Sequence, residues 1–114
     1  MLKRKEFILE RDHGRDVRFT GEEMASADSR DHSGLTHQKI NPLRWTELKL
    51  FKSEKGNYIL LTQGCSSVPG EKTFNKVQVF EDRESLFDAA GFSAISKELY
   101  MRAGFSIFDM AEEA

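Results

Sequence analysis

The twenty residues from Arg44 to Gln63, RWTELKLFKSEKGNYILLTQ, restrict the possible folds more than any other part of the chain. On an extended strand Thr46, Leu48 and Leu50 fall on one side and Trp45, Glu47, Lys49 and Phe51 on the other, because successive side chains alternate faces. The period is two, not the 3.6 of a helix. Tyr58 to Thr62 is a largely apolar run with aromatic and β-branched residues, as suits a strand against a core. Between the arms, Ser53 to Asn57 supplies a polar turn in which Gly56 is free to take positive φ. The stretch therefore predicts a β-hairpin. Both faces of its first arm carry large apolar groups, Leu48 and Leu50 on one and Trp45 and Phe51 on the other, so a single covering layer cannot bury them all. One face is expected to take helices. The other needs a second cover, for which the sequence offers a long loop from Ser26 to Pro42, a second subunit or a ligand.

The flanking segments predict more strands. Lys5 to Glu10 places Phe7 and Leu9 on one face, and Val17 and Phe19 alternate with Arg18 and Thr20 after a turn at Asp12, His13 and Gly14. Thr20-Gly21-Glu22-Glu23 has the spacing of a helix capping box, and either a short helical turn through Met24 and Ala25 or continuation of the strand into Met24 fits it. From Ser26 to Pro42 periodicity is lost among Ser, Asp, His, Gly and Asn, which reads as a long loop and a place to seek binding. Gly64 to Gly70 reads as a tight connection, and Lys72 to Phe80 as a strand completing a meander over residues 44–80.

The last third changes character. Ala-Gly-Phe-Ser occurs at Ala90–Ser93 and again at Ala103–Ser106. Each copy suits a helix junction: the glycine ends one helix in the left-handed conformation and the serine caps the next. Short helices are expected at about 83–90, 94–103 and 107–112. In the middle one Ile95, Leu99 and Ala103 form an i, i+4, i+8 stripe. The fold class is thus α+β: one domain over residues 1–114, with an antiparallel sheet of four to five strands and two or three short C-terminal helices packed on one face.

Composition narrows the setting. No stretch approaches the ~20 apolar residues of a membrane span, and the basic start is followed only by Phe7, Ile8 and Leu9, too short for a signal-peptide core. A cytoplasmic location is the expectation. Net charge is −2 but uneven: residues 43–80 carry six basic and three acidic groups, residues 81–114 three and eight. This asymmetry suits an anionic partner for the sheet face or, more simply, two regions that complement each other within the fold or between subunits.

Four groups of residues invite chemistry. Gly64, Gly70, Lys72 and Thr73 resemble a phosphate loop, but five residues separate the glycines, and Glu71 stands before the lysine. Cys65 is expected on a turn, with no histidine near it in sequence to lower its pKa. His32 and His37, with Asp28 and Asp31, match no dedicated metal spacing. Trp45 and Phe51, flanked by Arg44, Lys49 and Lys52, combine aromatic and basic groups as a single-stranded nucleic-acid site would, though the same rings serve equally as core or as a protein interface. These five are the candidate binding residues. No catalytic residues, metal ligands or cofactor site are expected.

The run Arg44-Trp45-Thr46-Glu47-Leu48, then Leu50-Phe51-Lys52, then Gly56-Asn57-Tyr58-Ile59, resembles the RWTEL-LY-T-GG-Y pattern of short uncharacterised bacterial and mobile-element proteins. Phe51 stands at that pattern's tyrosine, Ser53 at its threonine and Asn57 at its second glycine. The resemblance implies a compact product of the accessory genome and assigns no catalytic residue. The leading expectation is a non-enzymatic binding or regulatory protein of such an element, acting through a protein partner or by self-association, such as a dimer. A small nucleic-acid-binding module and a small-molecule pocket are the alternatives.

Overall fold

The structure, a computed structural model, describes residues 5–32 and 43–113. Five strands come first: β1 (Lys5–Leu9), β2 (Val17–Asp28), β3 (Arg44–Ser53), β4 (Tyr58–Ser66) and β5 (Phe74–Phe80). Three helices follow: α1 (Arg83–Ala90), α2 (Ala94–Arg102) and α3 (Ile107–Met110). Each strand pairs antiparallel with the next, so the sheet order is β1-β2-β3-β4-β5. The α+β class holds, with a curled five-stranded sheet. In the central hairpin Leu50 lies opposite Leu60, Phe51 opposite Ile59 and Trp45 opposite Cys65.

The curl comes from β2. Its first part, Val17 to Gly21, pairs with β1, and the part from Gly21 to Asp28 pairs with β3. A bulge between Glu23 and Ala25 shifts the register, and such an insertion bends the strand and strengthens its twist. At Gly21, which pairs with Lys5 of β1 and Ser53 of β3, the backbones approach so closely that an added Cβ would stand 2.1 Å from the carbonyl oxygen of Lys52. Beyond this bend the β1–β2 hairpin folds across one face of the sheet. Phe7 and Phe19 meet Phe51 with ring centroids 5.0 and 5.5 Å away. Phe51, Ile59, Leu61 and Val77 form the buried centre of this core, with Phe7, Leu9, Val17 and Phe19 packed against it. The hairpin's far end is clasped to β5. Asp12 N–H donates to the Asn75 carbonyl (3.2 Å), Asn75 N–H donates to Asp12 Oδ2 (2.8 Å), and Arg11 Nε donates to the Val77 carbonyl (3.0 Å).

A second core lies on the opposite face, where Ala27, Leu48, Leu50 and Leu60 cluster with Leu86, Phe87, Leu99 and Tyr100. Tyr100 is fully buried among Phe87, Phe92 and Phe105, and its hydroxyl donates to the Gly91 carbonyl (2.8 Å). The repeated Ala-Gly-Phe-Ser segments are helix junctions: Gly91 and Gly104 have φ of 73° and 97°, and Ser93 and Ser106 cap α2 and α3.

Several expectations are corrected. Of the two readings of Thr20 to Glu23 the strand holds, and β2 runs past Met24 to Asp28. The loop expected from Ser26 is overturned over its first residues, since residues 26–28 finish β2 and Ser29–His32 form a 3₁₀ turn; the rest of that expectation, residues 33–42, lies outside the described residues. β4 extends to Ser66, so Cys65 sits in a strand and not on a turn. β5 starts at Phe74, and α3 is a single turn ending at Met110. The cover for Phe51 comes from Phe7 and Phe19. It is the chain's own amino-terminal hairpin.

Candidate functional site

The five residues singled out from the sequence do not share one surface. Phe51 is 3% exposed and belongs to the hairpin core. Lys52 lies on the face opposite Phe51, where its ammonium sits 5.2 Å from the Tyr58 ring centroid. Lys49 stands between Ser26 and Leu61 in the sheet. Arg44 is held by Glu71 in a two-pronged pair, Nε to Oε1 at 2.6 Å and Nη2 to Oε2 at 2.9 Å, which keeps the Glu71 carboxyl below the usual range. That pair also answers the phosphate-loop comparison. Glu71 is committed to an arginine, Gly64 lies under the Phe74 ring, and a strand follows.

Trp45 stands in a polar cluster at the end of the sheet away from the β3–β4 turn. The Arg30 guanidinium lies over its ring, 4.3 Å from the centroid. Arg30 in turn grips Asp28, Nη2 to Oδ2 at 2.6 Å and Nε to Oδ1 at 3.0 Å, and these hydrogen bonds hold the Asp28 carboxyl below its ordinary pKa. Glu47 lies 3.8 Å from Arg30 and accepts a hydrogen bond from the Cys65 thiol at 2.9 Å. Among the described residues, the indole Nε1 of Trp45 is a buried donor without a partner. Asp28, which a metal site would need, is thus bound to Arg30; His37 lies outside the described residues, and no group of three or more His, Cys, Asp and Glu among them could hold a metal ion.

This cluster suppresses thiol chemistry. Burial, and then the hydrogen bond to the Glu47 carboxylate, pushes the Cys65 thiol up to about 11. At about pH 8 an unperturbed thiol, with a pKa of ~8.5, is roughly a quarter thiolate, whereas Cys65 would be about a thousandth. Iodoacetamide should therefore alkylate Cys65 roughly 200-fold more slowly in the folded protein than in urea. A native rate equal to the denatured one would show the thiol to be free of this environment. The folded pKa lies above the unfolded one, so the native state binds the proton more tightly. Its contribution to stability is complete below pH ~8.5 and is lost as pH rises through about 11.

The largest apolar exposure lies at the other end of the chain, on α3. Ser106 Oγ accepts from the Asp109 N–H and Asp109 Oδ2 accepts from the Ser106 N–H, both at 3.0 Å, a complete capping box. Arg83 Nη1 adds an ion pair to Asp109 Oδ1 at 3.2 Å. Phe105 packs between Tyr58, Phe87 and Tyr100, and Met110 also lies against the helix-side core. With these two directed inward and the turn fixed by its cap, Ile107 and Phe108 are directed outward, 71% and 90% exposed. The serine cap predicts a helix here but not this presentation. Ser106-x-x-Asp109 between Phe105 and Met110 was the signal, because a one-turn helix anchored at both ends has only its middle to offer.

A cavity of about 310 Å³ opens on the hairpin side of the sheet, where β2 passes the turn between β3 and β4. Val17, Phe19, Ile59 and Val79 give it apolar walls, and Arg18, Glu54 and Lys55 stand at its rim. A second cleft of about 320 Å³, lined in part by Ser29, Arg44, Trp45 and Phe74, lies at the opposite end. No helix among the described residues is long and apolar enough to cross a membrane. No family model matches this chain, and no curated protein or solved structure matches it either.

Proposed function

We propose that the chain is a non-enzymatic binding protein that acts by docking a protein surface onto Ile107 and Phe108. The observation that carries this reading is the way α3 holds two large apolar side chains in water on a turn pinned by a capping box and an ion pair. Burying such a side chain is worth roughly 1.5–3 kcal/mol, and a turn that is already rigid has little entropy left to lose on binding. Aromatic anchors of this kind are what protein interfaces concentrate their energy on. Cys65 held as a thiol weighs against thiolate catalysis. The dispersal of Trp45, Phe51, Arg44, Lys49 and Lys52 weighs against a base-stacking track. The hairpin pattern of residues 44–59 supports placing the protein among products of accessory genetic elements.

Photo-crosslinking in the cell tests the reading. A benzoylphenylalanine at position 108 should give a covalent adduct with a protein, and one at Glu84, an exposed position on α1, should not. A folded protein that yields no adduct at 108 would remove the proposal.

A further inference from the structure

The acidic surroundings of the α3 anchor point to what it docks on. Asp109, which is paired with Arg83, and then Glu112 and Glu113 follow Ile107 and Phe108 in the chain, so two copies meeting α3 to α3 would bring more carboxylates than cations together as they buried the rings. The matching surface must be an apolar recess with cations at its rim. This chain carries such a recess. The cavity walled by Val17, Phe19, Ile59 and Val79 has Arg18 and Lys55 at its rim against the single carboxylate of Glu54, and about 310 Å³ is room for one aromatic side chain. Val79 is 46% exposed, so the cavity is open to solvent. It also lies at the same end of the sheet as α3 but on the other face. Phe105, next to α3, packs on Tyr58, the residue with which β4 leaves the turn that rims the cavity.

We infer that the protein forms a two-fold dimer in which Phe108 of each copy enters the Val17–Phe19–Ile59–Val79 cavity of the other. This inference rests on the docking role of α3 proposed above and names its partner as a second copy. In a two-fold contact, residue i of one copy meets residue j of the other, and j meets i. One anchor and one cavity per chain satisfy that requirement, and the placement of both at one end allows the two contacts to form together. The acidic end of α3 then faces Arg18 and Lys55 of the second copy, so salt weakens the dimer.

Light scattering and sedimentation from micromolar to near-millimolar concentration test it. The wild-type chain should have the mass of a dimer at the upper end. Phe108→Ser, which removes an exposed ring, and Val79→Glu, which puts a carboxylate at the cavity mouth, should each weaken dimerisation by about 100-fold or more while circular dichroism stays native. Lys55→Glu, on the exposed turn, should weaken it several-fold and lessen its dependence on salt. An equimolar mixture of Phe108→Ser and Val79→Glu should recover a heterodimer, since the first retains an intact cavity and the second an intact anchor. A monomeric wild type, a Val79→Glu variant as dimeric as wild type, or two monomeric variants whose mixture stays monomeric would each overturn the inference. Crosslinking from position 108 separates this failure from the wider one. An adduct with a different protein would retain the docking role and refute the dimer, and no adduct would refute both.

Discussion

Gly21→Ala should be among the most damaging single-methyl additions this protein can receive. The new Cβ would stand 2.1 Å from the Lys52 carbonyl oxygen, 2.9 Å from its carbon and 2.8 Å from the Ser53 Cα. These are backbone atoms of a paired strand, so no rotamer change relieves the clash. Either β2 parts from β3 or the bend opens. Overpacking ordinarily costs 1–3 kcal/mol, and because the clash is with paired backbone that cannot swing aside the cost here should reach about 3 kcal/mol or more. On a domain of this size that lowers Tm by roughly 10 °C or more. The loss should be selective as well as large. Because Gly21 sets the angle at which the amino-terminal hairpin crosses the sheet, the variant should expose the amides of β1 to hydrogen exchange before those of β4. Thermal denaturation and exchange mass spectrometry check both parts, and a variant within about 0.5 kcal/mol of wild type would show that the bend does not depend on Gly21.

Phe51→Ala should cost as much by another route. Phe51 is the sheet residue against which the rings of Phe7 and Phe19 both rest, and truncating a buried phenylalanine typically costs 3–5 kcal/mol. Leu50 is its neighbour in sequence but lies in the core on the helix side. Leu50→Ala should lose 2–5 kcal/mol and leave the hairpin latched, whereas Phe51→Ala should raise exchange at Phe7 and Leu9 above the global rate. Equal local exchange in the two variants would mean that the two cores are one cooperative unit.

The contrast between these neighbours was legible from the sequence, because period two in residues 44–51 separates Leu48 and Leu50 from Trp45 and Phe51 with no tertiary information. The paired Ala-Gly-Phe-Ser segments were legible for a similar reason: a left-handed glycine and a capping serine are local chemistry. β2 was not. Val17 and Phe19 serve the hairpin core, Ala27 serves the helix core, and all three have the same parity. The bulge between Glu23 and Ala25 makes this possible by slipping the strand one residue, which exchanges its faces. A periodicity argument applied to that stretch meets polar residues where it expects apolar ones and ends the strand too early. The aromatic and basic residues around Trp45 misled in the opposite sense. They are neighbours in sequence, but strand alternation sends Lys52 to one face and Phe51 to the other, and Glu71 reaches Arg44 from the β4–β5 connection. α3 was hidden by its length. Read as residues 107–112 it is an ordinary helix end, and only as a single turn does it leave Ile107 and Phe108 uncovered.

The clasp between the first loop and β5 has a meaning beyond holding the hairpin down. β5 is the last strand of the sheet, and a terminal strand ordinarily presents a row of unpaired amides and carbonyls on which another chain can polymerise. Asp12 occupies both the N–H and the carbonyl of Asn75, and Arg11 occupies the carbonyl of Val77, so the middle of that row is already taken by the protein's own side chains and backbone. A chain whose hairpin has lifted away is therefore not merely looser. It is a chain with an open template, and its hazard is fibrous aggregation, with the two residues at 11 and 12 standing as guards on a border that the rest of the fold leaves unmanned.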